Sequence, residues 1–213
     1  MDDLTRTERR RVLAAGALLT LLALDIIWGS LAWRLLAGAQ IPMQRWQASP
    51  AQRTLLDALS VSFLVLSVAS AAAWMTWQYA AHESLWLRSV PGLTRKPSVV
   101  AWWLVPIIGL FTAGFALGEI LRVTPRPRWL RDGVARALYA TWWFFFFVAA
   151  MSPGTTWDTD RFPFDIKLSA SVAITYAIAG VFAFPLVWLL DRGVGRVLPW
   201  DEAAPDRTEA PAA

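Results

Sequence analysis

The sequence predicts an all-α integral membrane protein with four transmembrane helices and one Pro/Gly-broken re-entrant segment. Three observations carry this. The chain is 56% hydrophobic with a mean hydropathy of +0.42, which excludes an ordinary soluble domain. Five apolar segments stand out at 12–36, 54–77, 99–121, 137–152 and 168–190, each near the roughly 20 residues that cross hydrocarbon. The 20 basic residues are distributed unevenly between them.

That distribution selects the path. If all five segments cross, Arg and Lys divide 9 inside to 11 outside, which is no bias. If the third enters and leaves on one side, the inside set is Arg6, Arg9, Arg10, Arg11, Arg88, Arg95, Lys96, Arg122, Arg126, Arg128, Arg131, Arg136, Arg192, Arg196 and Arg207. The outside set is Arg34, Arg45, Arg53, Arg161 and Lys167, so the division becomes 15 to 5. Cytoplasmic loops carry the Lys/Arg excess, so this path is expected, with both termini cytoplasmic.

The N-terminal residues 1–11 read as a basic cytoplasmic tail. Arg9–Arg11 followed by an apolar run, with Ala37-Gly38-Ala39 beyond it, has the outline of a secretory signal. The run is about twice the length of a signal core, so an uncleaved first helix is expected. The second segment ends in Trp74, Trp77 and Tyr79, which reads as an interfacial aromatic belt. Its run Ser67-Val68-Ala69-Ser70-Ala71-Ala72-Ala73 lets another helix approach closely.

The third segment differs in kind. Pro106 interrupts it, and Gly109, Gly114 and Gly118 follow. Pro removes a backbone donor and Gly weakens a helix interior. Backbone groups freed in this way must be shielded from lipid. A re-entrant hairpin turning near Pro106–Gly109 fits, and a kinked fifth crossing is the alternative. Residues 122–136 form a basic connector in which Arg126, Arg128, Trp129 and Arg131 are placed to contact lipid head groups. Each basic group at an anionic inner leaflet contributes about 1 kcal/mol. Helix five carries Pro185. Residues 12–198 form a single membrane-embedded domain, and 199–213 are an acidic, Pro/Ala-rich tail expected to be disordered.

One stretch resembles a known family. Tyr79-Ala80-Ala81-His82-Glu83-Ser84-Leu85, then Pro91-Gly92-Leu93, then Ala101-Trp102-Trp103-Leu104-Val105-Pro106, and Glu119-Ile120-Leu121-Arg122 are similar to the bacterial membrane family called domain of unknown function 4328. The likeness covers residues 79–122. The family's Arg falls at Ala80, its two Asn at Ser84 and Gly109, and its Pro-Tyr pair at Ala113-Gly114, so roles resting on those side chains do not carry over. The resemblance implies a fold and names no reaction.

Few residues offer chemistry. Cysteine is absent and His82 is the single histidine, which excludes disulfides, thiolate catalysis and Cys-based metal sites. No metal and no cofactor is expected, and no phosphate loop or nucleophile elbow is present. Asp25 lies mid-way along helix one, where a charge costs about 2.5–3.5 kcal/mol and marks a functional candidate. It reads as a neutral hydrogen-bond anchor to Ser67 or Tyr176, or as a protonatable or cation-coupled site. Glu119 and Arg122 are one turn apart and pair on a helix face. With Tyr79 and His82 they are expected to meet as a polar clamp at the cytoplasmic mouth, with His82 solvated. Asp191-Arg192 reads as an ordinary helix end.

The function expected from this is that of a non-enzymatic multi-pass protein of the bacterial cytoplasmic membrane, acting in interaction or assembly. Its partners are anionic inner-leaflet lipids, and a second copy or other membrane proteins, with no nucleic acid. The alternative is a small transporter or channel subunit using Asp25 and the broken third segment.

Overall fold

The computed structural model describes residues 2–38, 49–91, 93, 117–125, 132–151 and 170–197. Pro106, Arg126, Arg128, Trp129, Arg131, most of the third apolar segment and the C-terminal tail lie outside the described residues. The described chain is helical, with no strand. Its elements are α1 (Asp2–Gly38), α2 (Pro50–Leu87), a helical segment α3 (117–123), α4 (Asp132–Met151) and α5 (Ala170–Val194). Among the described residues, α1, α2 and α5 are long and apolar enough to cross a membrane.

α1 and α2 outrun their apolar segments at both ends, α4 at its start and α5 at its end. α1 starts at Asp2 rather than at Val12, so the expected basic tail is helix. α2 spans 38 residues, about 55 Å at 1.5 Å per residue, against a hydrocarbon core of about 30 Å. Its start is a capping box. The Gln52 amide N–H donates to Ser49 Oγ at 3.3 Å, and the Ser49 amide N–H donates to Gln52 Oε1 at 2.8 Å. Pro50 occupies the first turn, where its missing N–H costs nothing. The helix ends where Ser89 adopts φ 53°, letting the Val90 amide reach back to the Leu85 carbonyl at 3.3 Å. This is a Schellman-type closure, and Pro91 then stops the helix.

The described helices form two compact units. The first comprises described residues within Met1–Ala17, Ala73–Arg131 and Val187–Ala213. The second comprises those within Leu18–Ala72 and Asp132–Leu186.

In the second unit α1 presents Leu18, Leu22, Asp25, Gly29, Ala32 and Leu36 inward. Their alternating four- and three-residue spacing is the seam of a helix packed lengthwise on its neighbours. Leu24, Ile27, Leu31 and Leu35 lie on the exposed face. Ala32 and Leu36 pack with Leu56 of α2 and with Val172 and Ala173 of α5, beside Trp28, Leu59 and Phe63. α1 and α5 approach closely at two glycines. A Cβ on Gly29 would lie 2.6 Å from the Ala173 carbonyl oxygen, and one on Gly180 would lie 2.8 Å from Ile26 Cγ1. In lipid such proximity, not hydrophobic drive, holds helices together. Since 22–26 meet 180 and 29 meets 173–177, α1 and α5 are antiparallel in this unit.

Candidate functional site

Buried polar clusters occur among the described residues of both units. In the second unit the cluster centres on Asp25, which is 3% exposed. The Ser70 hydroxyl donates to Asp25 Oδ2 at 2.6 Å. The Tyr176 hydroxyl lies within interaction range of Asp25, Ser67 and Ser70. The Tyr176 ring is held edge-on by Trp28 and Phe63, with centroids 6.1 and 5.2 Å away. Trp28 is anchored in turn by donating its indole N–H to Ser62 Oγ at 2.8 Å. Asp25 Oδ1 and Ser67 Oγ have no hydrogen-bond partner among the described residues. The sequence reading named Ser67 and Tyr176 as partners. Ser70, one turn from Ser67, makes the direct bond.

The first unit holds a larger cluster. Glu8 and Arg11 come from the start of α1, Ser84 and Arg88 from the end of α2, and Asp191 from the end of α5. Arg11 donates through Nε and Nη2 to Glu8 Oε2, at 3.0 and 2.9 Å. Its Nη1 reaches the Asp191 carbonyl at 2.9 Å and also the Asp191 carboxylate. Arg88 pairs with Glu8 Oε1 at 2.8 Å. It donates to the Val194 carbonyl at 2.9 Å and to the Val197 carbonyl. The Ser84 hydroxyl donates to Glu8. Both guanidinium groups thus meet backbone carbonyls at the C-terminal end of α5, where cations are favoured by the helix dipole.

Burial by itself opposes ionisation of Glu8. The Ser84 hydroxyl, Arg11 and Arg88 outweigh it and hold the carboxyl below its ordinary value. This group lies outside the apolar run that begins at Val12.

Four expectations need correction here. His82 is not solvated but fully buried. Its Nε2 lies 3.2 Å from Glu119 Oε2 on α3, while Nδ1 has no hydrogen-bond partner among the described residues. Of the expected four-residue clamp, the structure brings this pair together, whereas Tyr79 and Arg122 are exposed. The reason is helical phase: His82 shares the buried stripe of Gln78, Ala81 and Leu85, and Tyr79 falls opposite. The aromatic belt also changes character. Trp74 and Trp77 are buried and meet edge-on at 5.6 Å. Trp77 donates its indole N–H to Asp191 Oδ1 at 3.2 Å. Asp191 is therefore not an ordinary helix end, because Arg11 and Trp77 converge on its carboxylate.

Glu8, Arg11, Ser84 and Arg88 were missed as site residues. Their signal was periodic: Thr7, Arg11, Ala14 and Leu18 continue the α1 seam into the charged segment, so a basic residue occupies a core position. No family model, curated protein or solved structure matches this chain.

Proposed function

We propose that this chain is a non-enzymatic multi-pass protein of the bacterial cytoplasmic membrane that works by associating with other membrane helices, first with a second copy of itself. The observation that carries this reading is the outer face of α2. Ala51, Thr54, Ala58, Val61, Val65, Val68 and Ala72 are all exposed, at spacings that alternate between three and four. Only 11% of the most apolar window of α2 is buried. Small and β-branched residues at heptad spacing suit a lengthwise helix contact. A shallow groove of about 600 Å³ runs along this face, lined by Ala58, Val61, Ser62, Val65 and Leu66 with Thr54 and Asp57 at one end. The polar clusters, in contrast, are engaged in tying α1 to α2 and α5.

Energy transfer between donor- and acceptor-labelled copies in liposomes tests this reading. Transfer above the random-encounter level is expected for the wild-type chain, falling at least several-fold in Ala58→Trp and Val65→Trp. Both positions are exposed, so the fold tolerates the larger side chain. Random-level transfer in the wild-type chain at every lipid dilution would defeat the reading.

The proposed topology is four crossings with a re-entrant third segment and cytoplasmic termini. Antiparallel α1 and α5 favour an even number of crossings. In the first unit Arg88 bonds to the carbonyls of Val194 and Val197. A Cβ on Gly193 would lie 2.9 Å from the Pro125 carbonyl oxygen. The residues before and after the third apolar segment thus meet the same end of α5, which favours entry and exit on one side. The family likeness at residues 79–122 belongs to the same proposal.

Because the chain has no cysteine, single-cysteine labelling is clean. A membrane-impermeant thiol reagent is expected to label Ala51→Cys on intact cells. Arg9→Cys and Pro125→Cys, both at exposed positions, are expected to react only after the membrane is opened. Reaction of Pro125→Cys from outside would restore a crossing third segment.

A further inference from the structure

The cluster around Asp25 brings together more oxygen than a single hydrogen bond uses. α1 supplies Oδ1 and Oδ2 of Asp25, α2 supplies the hydroxyls of Ser67 and Ser70, and α5 supplies the hydroxyl of Tyr176. Ser70 donates to Oδ2 at 2.6 Å, and Tyr176 lies within interaction range of the other three residues. Asp25 is 97% removed from solvent by its 3% exposure, yet Oδ1 and Ser67 Oγ have no hydrogen-bond partner among the described residues. A buried polar atom left unmet costs about 1–3 kcal/mol, and a buried charge costs more unless it is paired. Among the described residues, no basic side chain is bonded to Asp25 to supply that pairing.

We propose that Asp25, Ser67, Ser70 and Tyr176 bind one desolvated sodium ion, which ties α1, α2 and α5 together. The charge follows from the donor set. One carboxylate is neutralised by one positive charge, whereas a divalent ion leaves an uncompensated charge in a low-dielectric interior. The all-oxygen set, with no thiolate and no imidazole, selects a hard cation over a transition metal. Oδ1 and Ser67 Oγ gain the partner they lack, and Ser70 Oγ keeps its proton on Oδ2 while offering a lone pair. A proton on Asp25 also neutralises the charge, so protons compete with sodium for the site. Sodium binding is separate from self-association along α2, whose exposed stripe does not include these four residues.

The test uses the full-length purified chain, with thermal unfolding in NaCl, KCl and choline chloride at equal ionic strength, together with equilibrium binding of radioactive sodium. Sodium is expected to raise the midpoint by several degrees above choline, with potassium weaker, and to bind at about one ion per chain. Asp25→Asn is expected to abolish both effects. Ser67→Ala keeps the carboxylate and serves if Asp25→Asn does not fold; it is expected to weaken sodium affinity about tenfold. Equal midpoints in sodium and choline with no bound sodium overturn the proposal. An Asp25 that titrates with pH and is indifferent to sodium overturns it equally, by assigning the site to a proton. Sodium affinity unchanged in Ser67→Ala overturns the coordination set.

Discussion

Replacing Gly29 by alanine is expected to cost about 3 kcal/mol, the upper part of the range for overpacking a tight contact, and Gly29→Leu is expected to leave no folded protein. The Cβ of an alanine would lie 2.6 Å from the Ala173 carbonyl oxygen, 2.8 Å from Ala177 Cβ and 3.0 Å from the Ala177 amide nitrogen. Two of these neighbours are backbone and none is the end of a flexible chain. Relief therefore requires α1 and α5 to move apart, which also opens the packing of Ala32, Leu36, Val172 and Ala173. Gly180 provides a graded comparison. Its nearest obstacle is Ile26 Cγ1 at 2.8 Å, with the Leu22 carbonyl oxygen farther off at 3.4 Å. Relief takes a shift of one stiff side chain where Gly29 needs a backbone shift, so Gly180→Ala is expected to cost less. Gly16 has nothing within 4 Å, and Gly16→Ala is expected to gain up to about 1 kcal/mol from helix propensity alone. Unfolding titrations in mixed micelles rank the three. Gly29→Ala as stable as Gly16→Ala would show that α1 and α5 do not touch at that point.

This contact explains what the sequence could and could not disclose. Hydropathy located α1, α2, α4 and α5, because length and apolarity are local properties. Their ends were misplaced because a helix continues for as long as its backbone is satisfied. Beyond the apolar run, the Ser49/Gln52 box caps the start of α2, and the side chains of Glu8 and Arg11 tie the start of α1 to α2 and α5. The small-residue run at 67–73 drew attention as a packing surface, yet the closest approach falls at Gly29 against Ala173 and Ala177. The Ala-x-x-x-Ala spacing on α5 was the available signal, and it is far less conspicuous than three consecutive alanines. Asp25 was legible because a lone carboxylate in an apolar run is costly wherever it points. Choosing Ser70 over Ser67 required the relative rotation of α1 and α2, which no single-helix pattern contains. His82 lies on the buried stripe of Gln78, Ala81 and Leu85, and the partner it meets there, Glu119, is 37 residues away and outside any single-helix pattern.

Arg11→Met is expected to destabilise the chain by about 3–5 kcal/mol, the cost of removing one partner from a buried ionic network. Arg11 is 4% exposed and bonds to Glu8, to the Asp191 carboxylate and to the Asp191 carbonyl. Its loss leaves the Asp191 carboxylate, among the described residues, with the indole donor of Trp77 and removes one of the two arginines, Arg11 and Arg88, that bond to carbonyls at the end of α5. Arg11→Lys is expected to be intermediate, since one ammonium cannot reproduce a planar fork that serves two carboxylates and a carbonyl. Adding Asp191→Asn to Arg11→Met is expected to recover part of the loss, because the second change removes the charge that the first strands. The same network sets a pH dependence with a definite sign. Glu8 is held below its ordinary value in the folded chain, so the unfolded chain binds its proton first as pH falls. The stability Glu8 contributes is complete above the ordinary glutamate range and declines as pH falls through that range toward the folded value. Unfolding measured from neutral pH downward should therefore show an acid loss that Glu8→Gln lacks, with Glu8→Gln less stable than wild type at neutrality and converging on it in acid. Parallel profiles for the two proteins would mean that Glu8 carries no ionic load, and that Arg11 is held by Asp191 alone.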